Sequence, residues 1–600
     1  MKKKAAEYIA ELLVEKGISQ VFSVVGGGAM HLNDAFNNTK GLHCVFNHHE
    51  QACAIAAESY ARFDNRPACV CVTTGPGGTN ALTGVLCAWQ DSIPMLVISG
   101  QVRYETTVTS TGLNLRQFGE QEHYIVDTVS SITKYAKMLS EPKKIRYEIE
   151  KAIYLANSGR RGPTWIDIPL NIQGMIIETD EQEKFVPEAS VPNADYINDV
   201  FEKINVAIQT SNRPVIIAGA GLRTSGVYKS FLQFIKKMKT PVLSANGNPD
   251  LLSDEEPYYY GNFGSIGGRA GNFIVQNSDC LLVLGARLSF KQIGFNYKLF
   301  SPRSFKIVVD IDKNELRKNT VHIDLPVNLD LKLFFDNIDK LQLKNISCEW
   351  YKYCNEVKNN FSLDKENFVS TTVVNPYVFS FKLKHKISKN AIIVVGNSCG
   401  SDMMRQVGIK YNTQRLWGNT NCGTMGYDLP AAIGVAIASR SDVICITGDG
   451  SIEMNLQELQ TIIHNNLPIK IFIHNNNSYG AIIQTQSNFF GRLSGCTNNT
   501  GISFPDFEKL SYAYGFPYWK CSSNSDLDIV IDDFLNADGF GICEIISDVK
   551  QPIIPRTKTK VLENGEMKST AIDDLFPFLD DAIYKKYSTY FNDEVNNESD

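Results

Sequence analysis

Residues 448–451 read Gly-Asp-Gly-Ser, and residues 475–477 read Asn-Asn-Asn. Each motif follows an apolar run, at 443–447 and 469–473, and each run predicts a strand. The segment between the runs, 453–465, places leucine and isoleucine on one face and predicts a helix. A strand, a helix and a second strand in this order predict two neighbouring parallel strands. Open α/β sheets bind their ligands at the carboxyl ends of such strands.

Asp449 and Asn476 follow these two predicted strands and lie 27 residues apart (476 − 449). A carboxylate and an amide oxygen suit Mg²⁺, which prefers oxygen ligands and often shares them with substrate phosphates. The backbone carbonyl of Ser478 is the expected third ligand. Gly448 and Gly450 let the backbone approach an anion, and the helix start offers N–H groups to it. The motifs therefore predict a magnesium diphosphate site, and the alternative is a glycine turn beside an asparagine-rich loop.

These motifs resemble the magnesium and diphosphate motif of the thiamine diphosphate enzymes. Within them the chain is most similar to the acetolactate synthase group, from about Lys4 to about Pro555. Three N-terminal stretches resemble the family's pyrimidine-binding domain: VFSVVGGGAM at 21–30, NHHEQACAIAAESYAR at 47–62 and TGPGGTN at 74–80. The resemblance implies an α/β fold of three doubly wound parallel-sheet domains. In chain order these are a pyrimidine-binding domain, a central domain and a diphosphate-binding domain.

Glu50 is the residue to which the resemblance gives the main catalytic role. In the family this glutamate hydrogen-bonds the aminopyrimidine ring and favours the tautomer that activates the cofactor. Taken without the family, the run His48-His49-Glu50 allows a metal site or the polar end of a strand. Adjacent histidines on a strand point to opposite faces, which disfavours the metal site. A small-residue helix predicted at 52–61 favours close packing beside Glu50.

Met425 lies in a third motif, at 419–434. In the family the side chain at this position wedges under the cofactor and bends it, which brings its reacting groups together. Without the family, a methionine near glycines is a flexible core filler. The resemblance also implies that Gln121 is catalytic. The other cofactor-binding residues that it implies are Gly27, Gly28, Pro76, Asn80, Gly400, Ser401, Asp402, Gly423, Gly448, Gly450, Ser451, Tyr479 and Gly480.

The chain has 600 residues, more than one core normally covers, so three domains are expected. We predict a pyrimidine-binding domain at 1–178, a central domain at 196–342, a diphosphate-binding domain at 375–555 and a loosely held C-terminal tail at 556–600. The polar stretches 178–196 and 343–375 are predicted to be linkers.

The bulk composition predicts a cytoplasmic enzyme. With 59 basic and 65 acidic residues, the formal charge is −6, which gives no electrostatic reason to expect nucleic acid or a membrane surface as a partner. The N-terminal segment predicts an amphipathic helix and not a signal peptide. Fourteen cysteines without paired spacing predict reduced thiols.

The central domain and the substrate pocket depart from the acetolactate synthase pattern. These synthases bind FAD in the central domain, and Arg287 fits their pattern, but Ser289, Phe290 and Lys291 replace the expected acidic pair and arginine, so FAD or another nucleotide stays open. Leu170 replaces a lysine, and Thr485 replaces a tryptophan that shapes the acceptor pocket. The altered segment 103–120 adds to these changes, which together predict a wider pocket.

The departures, with the stretches 115–122 and 289–294, resemble acetolactate synthase-like carboligases encoded with surface-polysaccharide genes. The resemblance implies thiamine diphosphate- and Mg²⁺-dependent decarboxylation of a 2-oxo acid, pyruvate first, with transfer of the acyl unit to an acceptor. The acceptor is a second 2-oxo acid or a keto sugar nucleotide. A simple nonoxidative decarboxylase and a noncatalytic regulatory relative are the alternatives, and the second is disfavoured because Glu50, Asp449 and Asn476 are all retained. The family also implies a homodimer, or a dimer of dimers, whose sites lie between two chains.

Overall fold

Short apolar runs alternate with helical segments along the chain and fold into three separate sheets of six parallel strands each. The computed structural model describes residues 1–188, 193–245, 247–561 and 567–591. Parallel strands need crossover connections, and helices on both faces of each sheet provide them. The predicted fold class, three doubly wound α/β domains, is confirmed.

The N-terminal domain is built on a sheet of strand order β3-β2-β4-β5-β7-β6, and its short strands β1 and β8 form an antiparallel pair at the side. Its strands are β1 Lys2–Lys4, β2 Gln20–Ser23, β3 His43–Phe46, β4 Ala68–Val72, β5 Met95–Gln101, β6 Tyr135–Met138, β7 Pro163–Pro169 and β8 Ile176–Glu178. Its helices are α1 Ala5–Glu15, α2 Met30–Asn38, α3 Glu50–Asp64, α4 Pro76–Asn80, α5 Leu82–Asp91, α6 Val108–Thr111, α7 Ile125–Val129, α8 Ile145–Asn157 and α9 Leu170–Gln173. The strand order reverses between β2 and β4, which places a ligand crevice at their carboxyl ends.

The central domain has the order β11-β10-β9-β12-β13-β14, with its reversal between β9 and β12. Its strands are β9 Pro214–Ala218, β10 Val242–Ala245, β11 Tyr259–Phe263, β12 Cys280–Leu284, β13 Phe305–Asp310 and β14 Leu325–Asn328. Its helices are α10 Ala194–Thr210, α11 Gly221–Thr224, α12 Tyr228–Met238, α13 Arg269–Asn277, α14 Phe290–Ile293, α15 Leu331–Asp336 and α16 Cys348–Asn360.

The C-terminal domain has the order β16-β15-β17-β18-β20-β19, with its reversal between β15 and β17. Its strands are β15 Ile392–Val395, β16 Arg415–Trp417, β17 Val443–Gly448, β18 Ile469–Asn475, β19 Tyr518–Cys521 and β20 Gly541–Ile546. Its helices are α17 Pro376–Lys386, α18 Cys399–Val407, α19 Asp428–Ser439, α20 Asp449–Ile452, α21 Glu458–His464, α22 Gly480–Phe490, α23 Phe507–Tyr514 and α24 Leu527–Asn536. The two strands predicted around 443–473 are parallel neighbours, as expected. The single helix predicted at 453–465 is instead α20, a 3₁₀ turn at Glu453–Asn455 and α21.

The stretch predicted as a second linker, 343–375, contains helix α16, so that prediction was wrong for residues 348–360. Trp350 and Tyr353 on this helix are fully buried in the central core. Their rings stack with centroids 5.4 Å apart, and the Trp350 indole N–H donates to the Pro214 carbonyl at 3.2 Å. Polar residues between these aromatic positions hid the apolar face in the sequence. In the first predicted linker, residues 189–192 lie outside the described residues.

The C-terminal tail predicted at 556–600 is also well packed over most of its described residues. Helix α25 Asp581–Ser588 and the following turn bury Tyr587 and Phe591 in the central core, and short strands β21 Lys560–Val561 and β22 Met567–Lys568 pair upstream. The Asn272 side chain donates to the Ile572 carbonyl at 2.6 Å, which ties the segment to α13. The acidic, asparagine-rich composition concealed the aromatic face that causes this packing. Residues 592–600 lie outside the described residues.

Helices α3 and α19 join the N-terminal and C-terminal domains. A Cβ atom on Gly434 would lie 2.0 Å from the Ala56 carbonyl oxygen, so the two helix backbones touch where small residues face each other. Ile55 is buried in the same apolar cluster as the residues of α19. The small-residue helix that the sequence predicted after Glu50 thus packs against a second helix.

All fourteen cysteines are free, in keeping with the reduced thiols expected. Across the described ranges, no helix combines the length and the apolarity that crossing a bilayer requires.

Candidate active site

Glu50 is the first residue of α3 and follows strand β3 at the carboxyl edge of the N-terminal sheet. Its side chain is buried, with 9% of its surface exposed, and the Asn80 amide donates to Oε2 at 3.0 Å. Asn80 ends α4, which begins after β4. Two residues predicted from separate motifs therefore meet, because β3 and β4 flank β2 and end at the same edge.

Glycines let the loops of this edge lie against one another. A Cβ atom on Gly28 would lie 2.0 Å from the Thr74 hydroxyl, and one on Gly100 would lie 2.1 Å from the Gly28 carbonyl oxygen. Gly27 has open space around it, and Pro76 is exposed at the start of α4. A Cβ atom on Gly77 would lie 3.6 Å from Glu50 Oε1, so a glycine also lies beside the carboxylate.

Gln121 lies at the same edge, but its side chain is exposed. Its φ is 60°, in the left-handed region, and its carbonyl oxygen would lie 2.1 Å from a Cβ atom on Gly75. Next to it, the buried Glu122 carboxylate accepts hydrogen bonds from the backbone N–H groups of Phe118 and Gly119, each at 3.0 Å. Glu122, which the sequence did not single out, closes the altered segment 103–120 into a loop.

Asp449 follows strand β17 and is 4% exposed. Its Oδ1 accepts from the Gly450 N–H at 2.9 Å, and its Oδ2 accepts from the N–H groups of Asn476 at 3.0 Å and Ser478 at 3.3 Å. Burial raises the pKa of the Asp449 carboxyl to about 6, and these backbone N–H groups oppose the rise. The loop after β18 thus wraps around the carboxylate, as the two-strand prediction requires.

The Asn476 side chain completes this arrangement. Its Oδ1 accepts from the Ser478 backbone N–H at 3.1 Å and from the Ser478 hydroxyl at 2.9 Å. Asn477 turns the chain with a φ of 54°. The Ser478 carbonyl accepts from the Gly480 N–H at 3.1 Å and keeps a second lone pair for a cation.

The donor set fits Mg²⁺. Asp449, Asn476 and the Ser478 carbonyl offer only oxygen atoms, which suit a hard cation, and Asp449 is a buried carboxylate whose charge a cation would balance. Within the described part of the chain, no group of three or more histidine, cysteine, aspartate or glutamate side chains could hold a metal. A site with one carboxylate, one amide and a backbone carbonyl falls outside that pattern.

Gly450 and Tyr479 explain why glycine follows Asp449. A Cβ atom on Gly450 would lie 2.1 Å from the Tyr479 ring, which packs edge-on against Phe504 with centroids 5.6 Å apart. Gly480 begins α22, directly after the Asn476 loop, and the N–H groups of Gly480, Ile482 and Ile483 donate to the Ser478 and Tyr479 carbonyls. These contacts place a glycine and an aromatic ring against the Asp449 loop, and the diphosphate site there stays a prediction.

The predicted residues Gly400, Ser401 and Asp402 lie in the first turn of α18, after β15. The Ser401 N–H donates to the Ser398 hydroxyl at 3.2 Å, and the Asp402 N–H donates to the Ser398 carbonyl at 3.0 Å. A Cβ atom on Gly400 would lie 2.4 Å from the buried His474 ring. The helix start is in the expected place, but two of its three N–H groups already have acceptors.

Met425 lies in a turn between Gly423 and Gly426, both with positive φ, and its side chain is partly buried. The Gly426 N–H donates to the Ser451 hydroxyl at 2.9 Å, and its carbonyl accepts from the Asn455 amide at 2.7 Å. The methionine turn is therefore tied to the metal-binding segment. Asn455 was not predicted, since an asparagine in a helical pattern gives no signal of its own.

The structure groups the predicted residues into two sets. One surrounds Glu50, and the other surrounds Asp449, Asn476 and Met425. Over the described residues, the Glu50 carboxylate has a hydrogen bond from Asn80 and none from the second set. The domains are joined beside Glu50 by the buried Glu458, whose carboxylate accepts from the Asn47 side chain at 2.8 Å and from the His48 N–H at 2.9 Å.

The two pocket departures lie at helix starts and surfaces. Leu170 begins α9 and is partly buried, with its N–H donating to the Val102 carbonyl at 3.4 Å beside the altered loop. Thr485 is exposed on α22, where its hydroxyl donates to the Ala481 carbonyl at 3.1 Å. Neither position carries a charged or an aromatic side chain.

A cavity of about 320 Å³ lies where the three domains meet, at the carboxyl ends of β9, β12 and β13. Gly221 and Gly285 pack backbone to backbone there, since a Cβ atom on Gly221 would lie 2.8 Å from the Gly285 Cα atom. Its lining includes the arginines Arg160, Arg161 and Arg287 and the aspartates Asp310 and Asp330, together with Arg62 and Asp91, which pair with each other. It is the crevice that the reversal of strand order between β9 and β12 produces.

Comparison with known proteins agrees with this architecture. Residues 3–126 match the N-terminal TPP binding domain of thiamine pyrophosphate enzymes, residues 201–338 the central domain and residues 395–545 the C-terminal TPP binding domain. The chain is 30% identical over 561 residues to the acetolactate synthase isozyme 1 large subunit of Escherichia coli, covering 92% of this chain and 95% of that protein. It is 29% identical over 540 residues to the acetolactate synthase large subunit of Haemophilus influenzae, covering 88% and 91%. An acetolactate synthase of Arabidopsis thaliana is 29% identical over 571 residues, covering 92% and 82%. With the three domain models in chain order and a full-length relative at this identity, the chain belongs to the thiamine pyrophosphate-dependent enzymes of the acetolactate synthase-like kind.

Proposed function

We propose that the protein decarboxylates a 2-oxo acid, with pyruvate as donor, and transfers the acyl unit to an acceptor, using thiamine diphosphate and Mg²⁺. The observation that carries the proposal is the Asp449 carboxylate, which is buried and ringed by backbone N–H groups from the loop bearing Asn476. A buried carboxylate of this kind can bind a cation that in turn binds a diphosphate. In a protein that binds neither, burying the charge would lower the free energy of unfolding without any gain.

Thiamine diphosphate, when bound, supplies the carbon that attacks the 2-oxo acid and accepts the electrons released on loss of CO₂. Asp449, Asn476 and the Ser478 carbonyl would hold Mg²⁺ against the diphosphate. Glu50, oriented by Asn80, would hold a proton at the pyrimidine ring. Met425, presented between two glycine turns, would set the angle between the two rings of the cofactor.

The acceptor distinguishes the alternatives. A second 2-oxo acid would give an acetolactate-type product, a keto sugar nucleotide would give a branched sugar, and a proton would give an aldehyde. The partly buried Leu170 and the exposed Thr485 support an acceptor larger than pyruvate, because neither fills the crevice edge with a charged or aromatic group.

The test is product identification by mass spectrometry after incubation with pyruvate, thiamine diphosphate and Mg²⁺, with and without candidate acceptors. We expect a carboligation product whose mass includes the acetyl unit. Aldehyde alone would favour the simple decarboxylase. No turnover of any 2-oxo acid, with the cofactor shown to be bound, would favour a noncatalytic relative.

We also propose that the central cavity binds an adenine nucleotide, with FAD as the first candidate. The reversal of strand order, the close glycine backbones and three arginines suit a diphosphate, and Asp310 suits a ribose hydroxyl. Arg160 forms ion pairs with Asp312 at 3.0 Å and Glu315 at 2.9 Å. Arg161 and Arg287 do not pair with these carboxylates, so they are the better candidates to bind the diphosphate of a nucleotide. The absorption spectrum and the mass of the small molecules released from the purified protein test this. Calorimetric titrations with FAD and ADP then distinguish a flavin from a plain nucleotide.

The smallest active unit that we propose is a homodimer. Around the buried Glu50, the predicted ligands Gly27, Pro76 and Asn80 are exposed, and Met30 is 50% exposed beside them. A surface of this kind suits coverage by the diphosphate-binding domain of a second chain, since closed twofold dimers are the commonest assemblies.

A further inference from the structure

Asp428 is a fully buried carboxylate at the start of α19, and it has no role in the cofactor contacts described above. Over the described residues it forms no ion pair, and its partners are the hydroxyls of Ser451 and Thr447 and the Leu429 backbone N–H. Burial raises the pKa of this carboxyl. A buried carboxylate without a cation is destabilising, so its retention calls for a specific interaction.

Two consecutive hydrogen bonds connect Asp428 to the turn that carries Met425. The Ser451 hydroxyl donates to Asp428 Oδ2 at 2.6 Å, and the Gly426 N–H donates to the same hydroxyl at 2.9 Å. A serine hydroxyl has one proton and can accept through its lone pairs. Because the Ser451 hydroxyl proton is directed at Asp428 in a hydrogen bond, the lone pairs of the same oxygen are left to accept from the Gly426 N–H.

The geometry around this pair is tight on every side. A Cβ atom on Gly396 would lie 1.9 Å from Asp428 Oδ2, so only glycine at that position admits the carboxylate. The carbonyl of Gly426 accepts from the Asn455 amide at 2.7 Å, and that amide also donates to Gln51 at 2.9 Å. Both polar backbone groups of Gly426 are therefore held, one of them through Asp428.

We propose that Asp428 is a positioning residue that acts through Ser451 to fix the height of Met425 above the metal-binding turn. The proposal rests on the proposed function, since Met425 matters there as a support for the cofactor. Without the carboxylate, the Ser451 hydroxyl is free to rotate its proton toward Gly426, and the backbone N–H then loses its acceptor. The turn that carries Met425 loosens, while Asp449 and Asn476 keep their own bonds.

The experiment compares Asp428→Ala, Ser451→Ala and the double variant in the full-length protein. Asp428→Leu, which has a similar branched shape and no acceptor for the Ser451 hydroxyl, serves if the alanine variant does not fold. Ser380→Ala is the matched control, because that serine is also buried in the C-terminal domain and donates only to the Pro376 carbonyl at 2.8 Å.

Two measurements are made. The first is hydrogen exchange of the Gly426 backbone amide without cofactor, which reads the hydrogen bond itself. The second is the exchange rate of the reactive proton of bound thiamine diphosphate, together with the affinity for that cofactor. We expect each single variant to speed amide exchange at Gly426 and to slow cofactor proton exchange by about 10- to 100-fold. For Asp428→Ala we also expect cofactor affinity to change by less than about threefold. The double variant should be no worse than either single one, because both act through the same bond.

Additive effects in the double variant would overturn the proposal, and so would wild-type protection of the Gly426 amide in folded Asp428 variants. Failure of the proposed function would look different. Wild-type protein that binds thiamine diphosphate but turns over no 2-oxo acid, while Gly426 protection still depends on Asp428, would refute the activity and leave the positioning role supported.

Discussion

At the residue scale, the site relies on buried carboxylates that bind backbone N–H groups in place of cations. Asp449 receives three such bonds, and Glu122 receives three, from Val108, Phe118 and Gly119, that fold the altered loop. Charge-assisted bonds to backbone groups are among the stronger hydrogen bonds in proteins. A side chain held in this way has a fixed direction, which a binding site requires.

Replacing Glu50 by glutamine tests its role in proton transfer. We expect the fold and cofactor affinity to persist, because glutamine keeps the size and can accept from Asn80. Exchange of the reactive cofactor proton should slow by about 10²- to 10⁴-fold, the usual contribution of a positioned acid or base. Nuclear magnetic resonance of acid-quenched samples measures it. Exchange at the wild-type rate would remove Glu50 from the proposed mechanism.

Replacing Asp449 by alanine tests the metal site. The change removes the one charged oxygen that the described loop offers to Mg²⁺, so thiamine diphosphate should bind at least about 10-fold more weakly in the presence of Mg²⁺. Asp442→Ala is the control, because Asp442 is exposed on the same domain just before β17. Equal affinities of the two variants in calorimetric titration would contradict the assignment.

Lys134 predicts a pH dependence of stability. Its ammonium group donates to the carbonyls of Leu155 and Ser158, and burial, with the Arg161 charge, lowers its pKa from 10.5 to about 8. Between these values the folded chain has released a proton that the unfolded chain still holds, so raising the pH stabilises the fold. The melting temperature of wild type relative to Lys134→Met should therefore rise from pH 8 to pH 10.5 and stay level below pH 8. A constant difference across that window would show that Lys134 keeps its ordinary pKa when folded.

At the element scale, strands were easier to predict from the sequence than the helices that cover them. Strands β17 and β18 could be predicted from the sequence because a strand buried on both faces is a nearly continuous apolar run. Helix α16 did not, since only part of one face is apolar and lysines, asparagines and glutamates fill the rest. For the same reason, α25 was taken for a loose tail.

The site divided along similar lines. Asp449 and Asn476 could be predicted to meet because each follows a strand within a dense motif, whereas Glu50 was predicted from the family resemblance. Asn455, Glu458 and Asp428 could not, because their partners lie on other elements and polar residues in helices are common at surfaces. Partners such as Asn47 and Glu458, 411 residues apart, meet only through the packing of two domains.

Trp350→Ala tests whether α16 is part of the central core. Its indole is fully buried and stacked on Tyr353, so its removal should lower the free energy of unfolding by about 3–5 kcal/mol. Urea titration followed by circular dichroism measures the loss, and Lys352→Ala, on the exposed side of the same helix, is the control. A loss below about 1 kcal/mol, as for surface substitutions, would mean that α16 lies on the sheet without packing into it.

At the scale of the whole molecule, one sheet architecture occurs three times, once in each domain. Each sheet has a reversal of strand order, between β2 and β4, between β9 and β12 or between β15 and β17, and the residues predicted for the pyrimidine, the nucleotide or the diphosphate lie near it. The central domain separates the other two in sequence, yet α3 and α19 bring those two into direct contact.

Mixing two inactive variants tests whether sites lie between chains. Glu50→Gln and Asp449→Ala proteins are combined under conditions that let subunits exchange. A mixed dimer then has one doubly damaged site and one intact site, so an equal mixture should recover about a quarter of wild-type activity. Native mass spectrometry confirms the exchange. Without recovery in exchanged samples, each chain builds its own site.

The contact between α3 and α19 also has a consequence during synthesis on the ribosome. Helix α3 ends at Asp64 and α19 begins at Asp428, 364 residues later (428 − 64). At translation rates of roughly 5–20 residues per second, α3 waits roughly 20–70 s for its partner. Throughout that time the alanine-rich face of the nascent N-terminal domain has no covering helix. A chain whose translation stalls before residue 428 therefore exposes an apolar surface that is buried in the finished protein. We expect the nascent chain to be most prone to aggregation, and most dependent on chaperones, at this stage.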